Sequence, residues 1–175
     1  CDALRVGPDV AGEWENHRDA VLLYNPTTPS TKNAIRTTVN RLWLSPLVKT
    51  DPDVAYFSSR HNTLTPEQKR LLQDLALVCN FKATSDLPQW LTTDEREQLR
   101  AFLEDKSEVK QLGRYRFQVD GREVDFTSAM ELPNPPRGFE AAQAKLISWL
   151  GSQVWALRIL DKIGKNALEK MKQEL

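Results

Sequence analysis

The stretch Thr65-Pro66-Glu67-Gln68-Lys69-Arg70-Leu71-Leu72-Gln73-Asp74-Leu75-Ala76-Leu77-Val78-Cys79-Asn80 reads as an α-helix with its own start signal. Thr65 stands before a proline at the first helical position, and Gln68 follows three residues after Thr65. The hydroxyl and the amide can then each satisfy an orphan backbone N–H of the other's segment. Leu71, Leu72, Leu75, Leu77 and Val78 form a broad apolar face, so the helix must be buried on one side. Thr92 or Thr93 repeats the device ahead of Asp94 and Glu95, and the stripe Leu99, Phe102 and Leu103 carries a second helix to about Glu104.

Outward from these two helices the pattern changes period. Tyr115, Phe117 and Val119 alternate with Arg114, Arg116 and Gln118. Asp120-Gly121 supplies a two-residue turn, and Val124 and Phe126 alternate with Glu123 and Asp125. This is a β-hairpin signature, and a lone hairpin must pack on something to persist. Residues 107 to 112 extend the preceding helix or form a turn before Gly113. Toward the N-terminus, Ser30 is an N-cap for a helix from Thr31 to Leu44 that ends before Pro46. Glu13 to Tyr24 has one apolar helical face, although Ala20 to Tyr24 also fits a short buried strand. Asp51-Pro52 reads as a turn, and residues 1 to 12, with Gly7, Pro8 and Gly12, as an irregular lead-in.

The C-terminal third is the most apolar part. After the stiff connector Leu132 to Gly138, with its three prolines, the chain from Phe139 to about Ile163 reads as one long helix. Phe139, Leu146, Trp149, Leu157 and Leu160 share a face, while Ile147, Leu150, Val154, Trp155 and Ile159 spread over the rest. Such a helix is either central to the core or shared with a partner, and Trp149, Trp155 and Ile159 are the candidate partner-binding residues. The run is too short to span a bilayer. The fold class expected is therefore mainly α with one β-hairpin, a helical domain of about four to six helices with a long apolar C-terminal helix. Residues 1–175 make a single domain, with a possible subdivision into a helical part, 1–112, and a hairpin-plus-helix part, 113–175.

Composition narrows function mostly by exclusion. Apolar residues at 40% and charged residues at 27% are ordinary globular values. Twenty-four Lys and Arg against twenty-four Asp and Glu give no net charge, and so no whole-molecule field to draw nucleic acid or an anionic membrane. Two cysteines, Cys1 and Cys79, leave the compartment open, since they neither build a disulfide framework nor show zinc-site spacing. No Walker sequence or dinucleotide fingerprint is present, so no cofactor is expected. His17 and His61 sit in no nucleophile or metal motif and read as ordinary helix-face or loop residues.

The functional expectation is a non-catalytic protein–protein interaction or structural domain, a subunit of a larger assembly whose partner is another protein, with no small-molecule substrate. Two alternatives stand beside it. Cys1, followed by Asp2, is a candidate lipidation site, which would make the chain a bacterial lipoprotein accessory factor held at a membrane. The basic region 106–122 offers Lys110, Arg114, Arg116 and Arg122 as candidate nucleic-acid contacts, with Tyr115 and Phe117 as stacking platforms; acidic neighbours dilute it and disfavour nucleic acid.

Overall fold

The computed structural model of the chain describes residues 2–15, 29–132, 137–151 and 153. The chain divides into two compact units, one of residues 1–16 and 26–132 and the other of residues 17–25 and 133–175.

In the first unit, the described elements begin with strand β1 (Ala3–Arg5) and helix α1 (Thr31–Arg41), which is followed by a 3-10 turn (Leu42–Leu44) and strand β2 (Lys49–Asp51). The two strands pair in parallel, with Ala3, Leu4 and Arg5 opposite Lys49, Thr50 and Asp51. A parallel pair needs a crossover, and α1 supplies it. Ala34, Ile35 and Val39 of α1 are buried in the core, and Ser30 caps the helix by accepting from the Asn33 N–H. The loop after β1 ties to the same helix end. The Thr31 and Lys32 amides donate to the Glu13 and Trp14 carbonyls, and Thr31 Oγ1 donates to the Ala11 carbonyl.

Helix α2 (Pro66–Val78) starts on the capping box expected at Thr65 and Gln68, and helix α3 (Thr93–Glu104) starts on the same device at Thr92 and Glu95. Leu72, Leu75 and Ala76 of α2 and Phe102 of α3 face the core, where the Phe57 and Phe102 rings meet at 5.1 Å. Strands β3 (Val109–Gln111), β4 (Arg116–Val119) and β5 (Arg122–Asp125) form an antiparallel sheet in that order. Asp120 (φ 46°) and Gly121 (φ 81°) make the two-residue turn of its hairpin, which requires the left-handed region at both positions. Phe117, Val119, Val124 and Phe126 are buried, and Arg122 reaches Asp74 of α2 with two bonds of 3.0 and 2.5 Å. A one-turn helix, α4 (Thr127–Met130), packs against α1 and closes the unit.

Two expectations need correction. The class is mixed α+β, with five α-helices and two small sheets among the described residues, instead of mainly α with one hairpin. Residues 3–5, 49–51 and 109–111, read as lead-in, turn and helix extension, are strands. Three-residue strands are too short to show an alternating period, and β1 finds its partner 46 residues away, so neither signal is local. The long apolar C-terminal helix is the second correction. In the second unit, helix α5 is described from Gly138 to Gly151, with Phe139, Leu146 and Trp149 exposed to solvent. Trp155 and Ile159 lie outside the described residues, as do Cys1, His17 and most of the segment Glu13 to Tyr24. No helix among the described residues is long and apolar enough to cross a membrane.

The closest approach in the βαβ unit is at Gly7, where the chain leaving β1 crosses α1. A Cβ there would stand 2.7 Å from Thr38 Oγ1 and 3.2 Å from the Ala34 carbonyl oxygen. Both neighbours are fully buried and belong to the helix. Gly7→Ala is therefore expected to lower stability by about 1–3 kcal/mol, as overpacking of a filled interior does, measured by urea unfolding.

Candidate active site

Strands β1 and β2 run side by side in the same direction, so both deliver their carboxyl ends to one edge. That edge is where parallel β/α architectures place their ligands, because the loops following the strands can vary without disturbing the sheet. Here it carries four charged side chains from two short segments, Arg5-Val6-Gly7-Pro8-Asp9 and Asp51-Pro52-Asp53.

Arg5 sits at the centre. Its Nε donates to Asp51 Oδ2 at 2.9 Å, Nη2 lies 3.0 Å from Asp53 Oδ1, and Nη1 lies 3.3 Å from Asp9 Oδ1. The planar guanidinium can address three carboxylates at once because its N–H groups form a fixed fork. Burial opposes its charge, but the bond to Asp51 and the fields of Asp53, Asp51 and Asp9 outweigh this and hold its pKa above the ordinary value. One positive group against three negative ones leaves the edge with an excess of negative charge.

The three carboxylates differ in what remains free. Asp51 Oδ1 accepts from the Asp53 N–H at 2.7 Å, so both of its oxygens are engaged. Asp53 Oδ2 accepts from the Val10 N–H at 2.7 Å while Oδ1 faces Arg5, so both of its oxygens are engaged as well. Asp53 adopts φ 80°, a left-handed conformation that an aspartate tolerates better than most residues and that turns its carboxylate back toward Val10. Asp51 and Asp53 are 16% and 13% exposed at the side chain, whereas Asp9 is 86% exposed and keeps one contact, at 3.3 Å. Asp51 and Asp53 thus serve as structural anchors, and Asp9 is the carboxylate presented to solvent. The loop that carries it is held from below by Arg41, whose Nη1 donates to the Val6 carbonyl at 2.7 Å, and from the side by the Tyr56 hydroxyl on the Val10 carbonyl.

Among the described residues no group of three His, Cys, Asp or Glu side chains is arranged to hold a metal ion; at this edge the cation between the carboxylates is Arg5 itself. Cys79 is buried, and burial pushes its thiol up to about 12, which leaves it inert as a nucleophile.

The residues singled out from sequence lie elsewhere. Arg122 is paired with Asp74, Arg116 faces Glu123 at 3.5 Å, and Arg114 lies over the Tyr115 ring at 5.1 Å and donates to Asn40. Lys110 is exposed on β3, and Phe117, read as a stacking platform, is buried. Trp149 is exposed on α5. Sequence reasoning missed Arg5, Asp9, Asp51 and Asp53. The signal available to it was an Arg and Asp four residues apart around Gly-Pro, and an Asp-Pro-Asp just before the apolar run Val54 to Phe57.

No protein-family model and no curated protein matches the chain. Solved structures do. The chain is similar to an α-galactosidase. The Thermus thermophilus enzyme in complex with p-nitrophenyl α-D-galactopyranoside is 49% identical over 74% of this chain and 27% of its own, with a TM-score of 0.71. The same enzyme in complex with stachyose is 51% identical over 59% of this chain and 23% of its own, with a TM-score of 0.57. The chain thus spans about a quarter of the length of the enzyme it matches.

This similarity overturns the functional expectations drawn from sequence. The structures it matches are those of a glycoside hydrolase, of which it resembles a part, against the expectation of a non-catalytic interaction or structural domain that is not an enzyme. The lipoprotein and nucleic-acid alternatives lose their ground with it. The expectation of a protein partner and no small-molecule substrate is corrected by the same finding, since the matched α-galactosidase structures hold p-nitrophenyl α-D-galactopyranoside and stachyose.

Asp53→Ala removes the acceptor for Val10 and one arm of the Arg5 fork, and places an alanine at positive φ. The expected loss is about 1–3 kcal/mol in urea unfolding, the range for leaving a hydrogen-bonded group without its partner. Asp9→Asn, whose oxygen makes one long, exposed contact, is expected to change stability by less than about 0.5 kcal/mol in the same experiment.

Proposed function

We propose that this chain is part of a glycoside hydrolase acting on α-galactosides, and that Asp9 supplies one of the carboxyl groups of the reaction. The observation that carries the proposal is the accessibility of Asp9 beside two fully engaged aspartates, at the carboxyl ends of two parallel strands. The similarity to an α-galactosidase at 49% identity gives the substrate class.

Hydrolysis of a glycoside needs two carboxyl groups flanking the bond between the anomeric carbon and the glycosidic oxygen. That bond breaks, a carboxyl proton passes to the leaving oxygen, and water supplies the oxygen that ends on the anomeric carbon. Asp9 suits such a role because it meets solvent, and therefore substrate, while its backbone is fixed. Val10 is bonded to Asp53, Val6 to Arg41, and Gly7 lies tight against α1. A carboxylate on a rigid loop loses little freedom when it engages the transition state. Arg5 and the pair Asp51 and Asp53 act as positioning residues for that loop. The second carboxyl group lies outside this cluster, since every oxygen of Asp51 and Asp53 already has a partner.

The test is the rate of p-nitrophenol release from p-nitrophenyl α-D-galactopyranoside by the full-length protein that contains this chain and by its Asp9→Asn variant. A fall in kcat of about 10²- to 10⁴-fold with an unchanged melting temperature is expected, the range for loss of a positioned acid–base group. Glu123→Gln, on the exposed face of the hairpin, serves as the unaffected control. An Asp9→Asn protein that keeps its rate, or an unsubstituted protein that releases no nitrophenol, overturns the proposal.

A further inference from the structure

We infer that His61, stacked on Trp90, lines a sugar subsite beside Asp9 that receives the portion of an oligosaccharide beyond the bond to be cleaved. The inference rests on the α-galactoside reading above and extends it to the leaving part of the substrate.

An open surface depression of about 420 Å³ is lined by Ala11, Gly12, Glu13, His61, Asn62 and Thr63. One wall is the continuation of the Asp9 loop. Gly12 follows Asp9 by three residues, so the two are separated by at most about 11 Å of extended chain. The other wall is the segment that follows Phe57 and Ser58. The walls are clasped together at Gly12, whose carbonyl accepts from the Thr63 N–H at 2.7 Å. A Cβ on Gly12 would stand 3.1 Å from both Asn62 Cβ and the His61 carbonyl oxygen, so this clasp needs glycine.

His61 is exposed on that wall and its conformation is imposed on it. Its φ is 60°, in the left-handed region that costs a histidine free energy and persists only where the surroundings dictate it. The surroundings are rigid. The Asp86 carboxylate accepts from the Phe57 and Ser58 amides, Glu95 from the Ser59 amide, and the Ser58 carbonyl from Lys69 Nζ and Asn62 Nδ2. The imidazole is laid against the Trp90 indole, with ring centroids 4.3 Å apart and planes 39° apart. Five hydrogen bonds and a ring stack thus hold this backbone in place while the ring it positions remains exposed.

The lining matches a sugar. A pyranose presents a C–H face that rests on an aromatic surface and a hydroxyl rim that needs donors and acceptors. Here the imidazole supplies the first, and the Glu13 carboxylate and the Thr63 hydroxyl stand around it for the second. A subsite here would take the portion of an oligosaccharide beyond the cleaved galactoside, a portion that p-nitrophenyl α-D-galactopyranoside replaces with a single ring.

The experiment compares kcat/KM for stachyose and for p-nitrophenyl α-D-galactopyranoside in the unsubstituted full chain, in His61→Asn and in His61→Gly. Asparagine and glycine both accept positive φ, so the backbone is retained while the ring is lost, and melting temperatures verify the fold. The ratio of the stachyose value to the nitrophenyl value is expected to fall about five- to tenfold in both variants, through a raised KM for stachyose, as loss of one aromatic contact implies. A ratio unchanged in the folded variants, with both substrates still cleaved, overturns the subsite and leaves the hydrolase reading intact. Failure of the unsubstituted chain to cleave either substrate overturns the hydrolase reading and this inference together.

Discussion

The guanidinium of Arg5 is the interaction on which the rest of this edge of the molecule depends. Strands β1 and β2 contribute three residues each, too few for their ladder alone to fix the loops beyond them. Arg5 and Asp51 are opposite one another in that ladder, so the 2.9 Å bond between their side chains reinforces the pairing at its last rung. The same group then turns Asp53 and Asp9 toward a common point. Without the cation, three carboxylates converging on one place would repel one another. With it, two are consumed in bonds and the third is left at the surface.

The surface position matters energetically. Fully buried ion pairs lose to desolvation much of what they gain from attraction, whereas here the arginine is 41% exposed and the anchors are partly so. Water therefore continues to solvate the excess negative charge while the backbone amides of Val10 and Asp53 fix the carboxylates from inside. The glycines complete the arrangement by contact distance. Gly7 lets the Asp9 loop cross α1, and Gly12 lets it reach the His61 segment, so one loop of the first unit joins the open carboxylate to the aromatic wall.

Local features of the chain were legible in its sequence. The capping boxes at Thr65 and Thr92 and the Asp120-Gly121 turn are decided by residues three or fewer apart, and each appears where the side chains dictate. The parallel pairing was not legible, because β1 and β2 show no period and meet only through α1. The site followed the pairing into obscurity. Arg5 and Asp9 resembled a loop, and Asp51-Pro52-Asp53 resembled a turn, until strand register brought Arg5 and Asp51 together. The basic residues of the hairpin misled for the opposite reason. Lys110, Arg114, Arg116 and Arg122 are close in sequence, yet Arg122 is taken up by Asp74 and Arg116 by Glu123, so their proximity builds no shared surface. His61 read as an ordinary loop residue because its left-handed backbone and its stack on Trp90 are properties of the fold, not of its neighbours in sequence.

The measurement that bears most directly on the role of Arg5 is a double-mutant cycle in urea unfolding, with Arg5→Met, Asp53→Asn and the pair. A coupling of about 1 kcal/mol or more is expected, because both residues belong to one network and each holds the other in place. Strictly additive effects would contradict the account, since the two side chains would then be neighbours without being partners, and the Asp9 loop would owe its position to something other than this clamp.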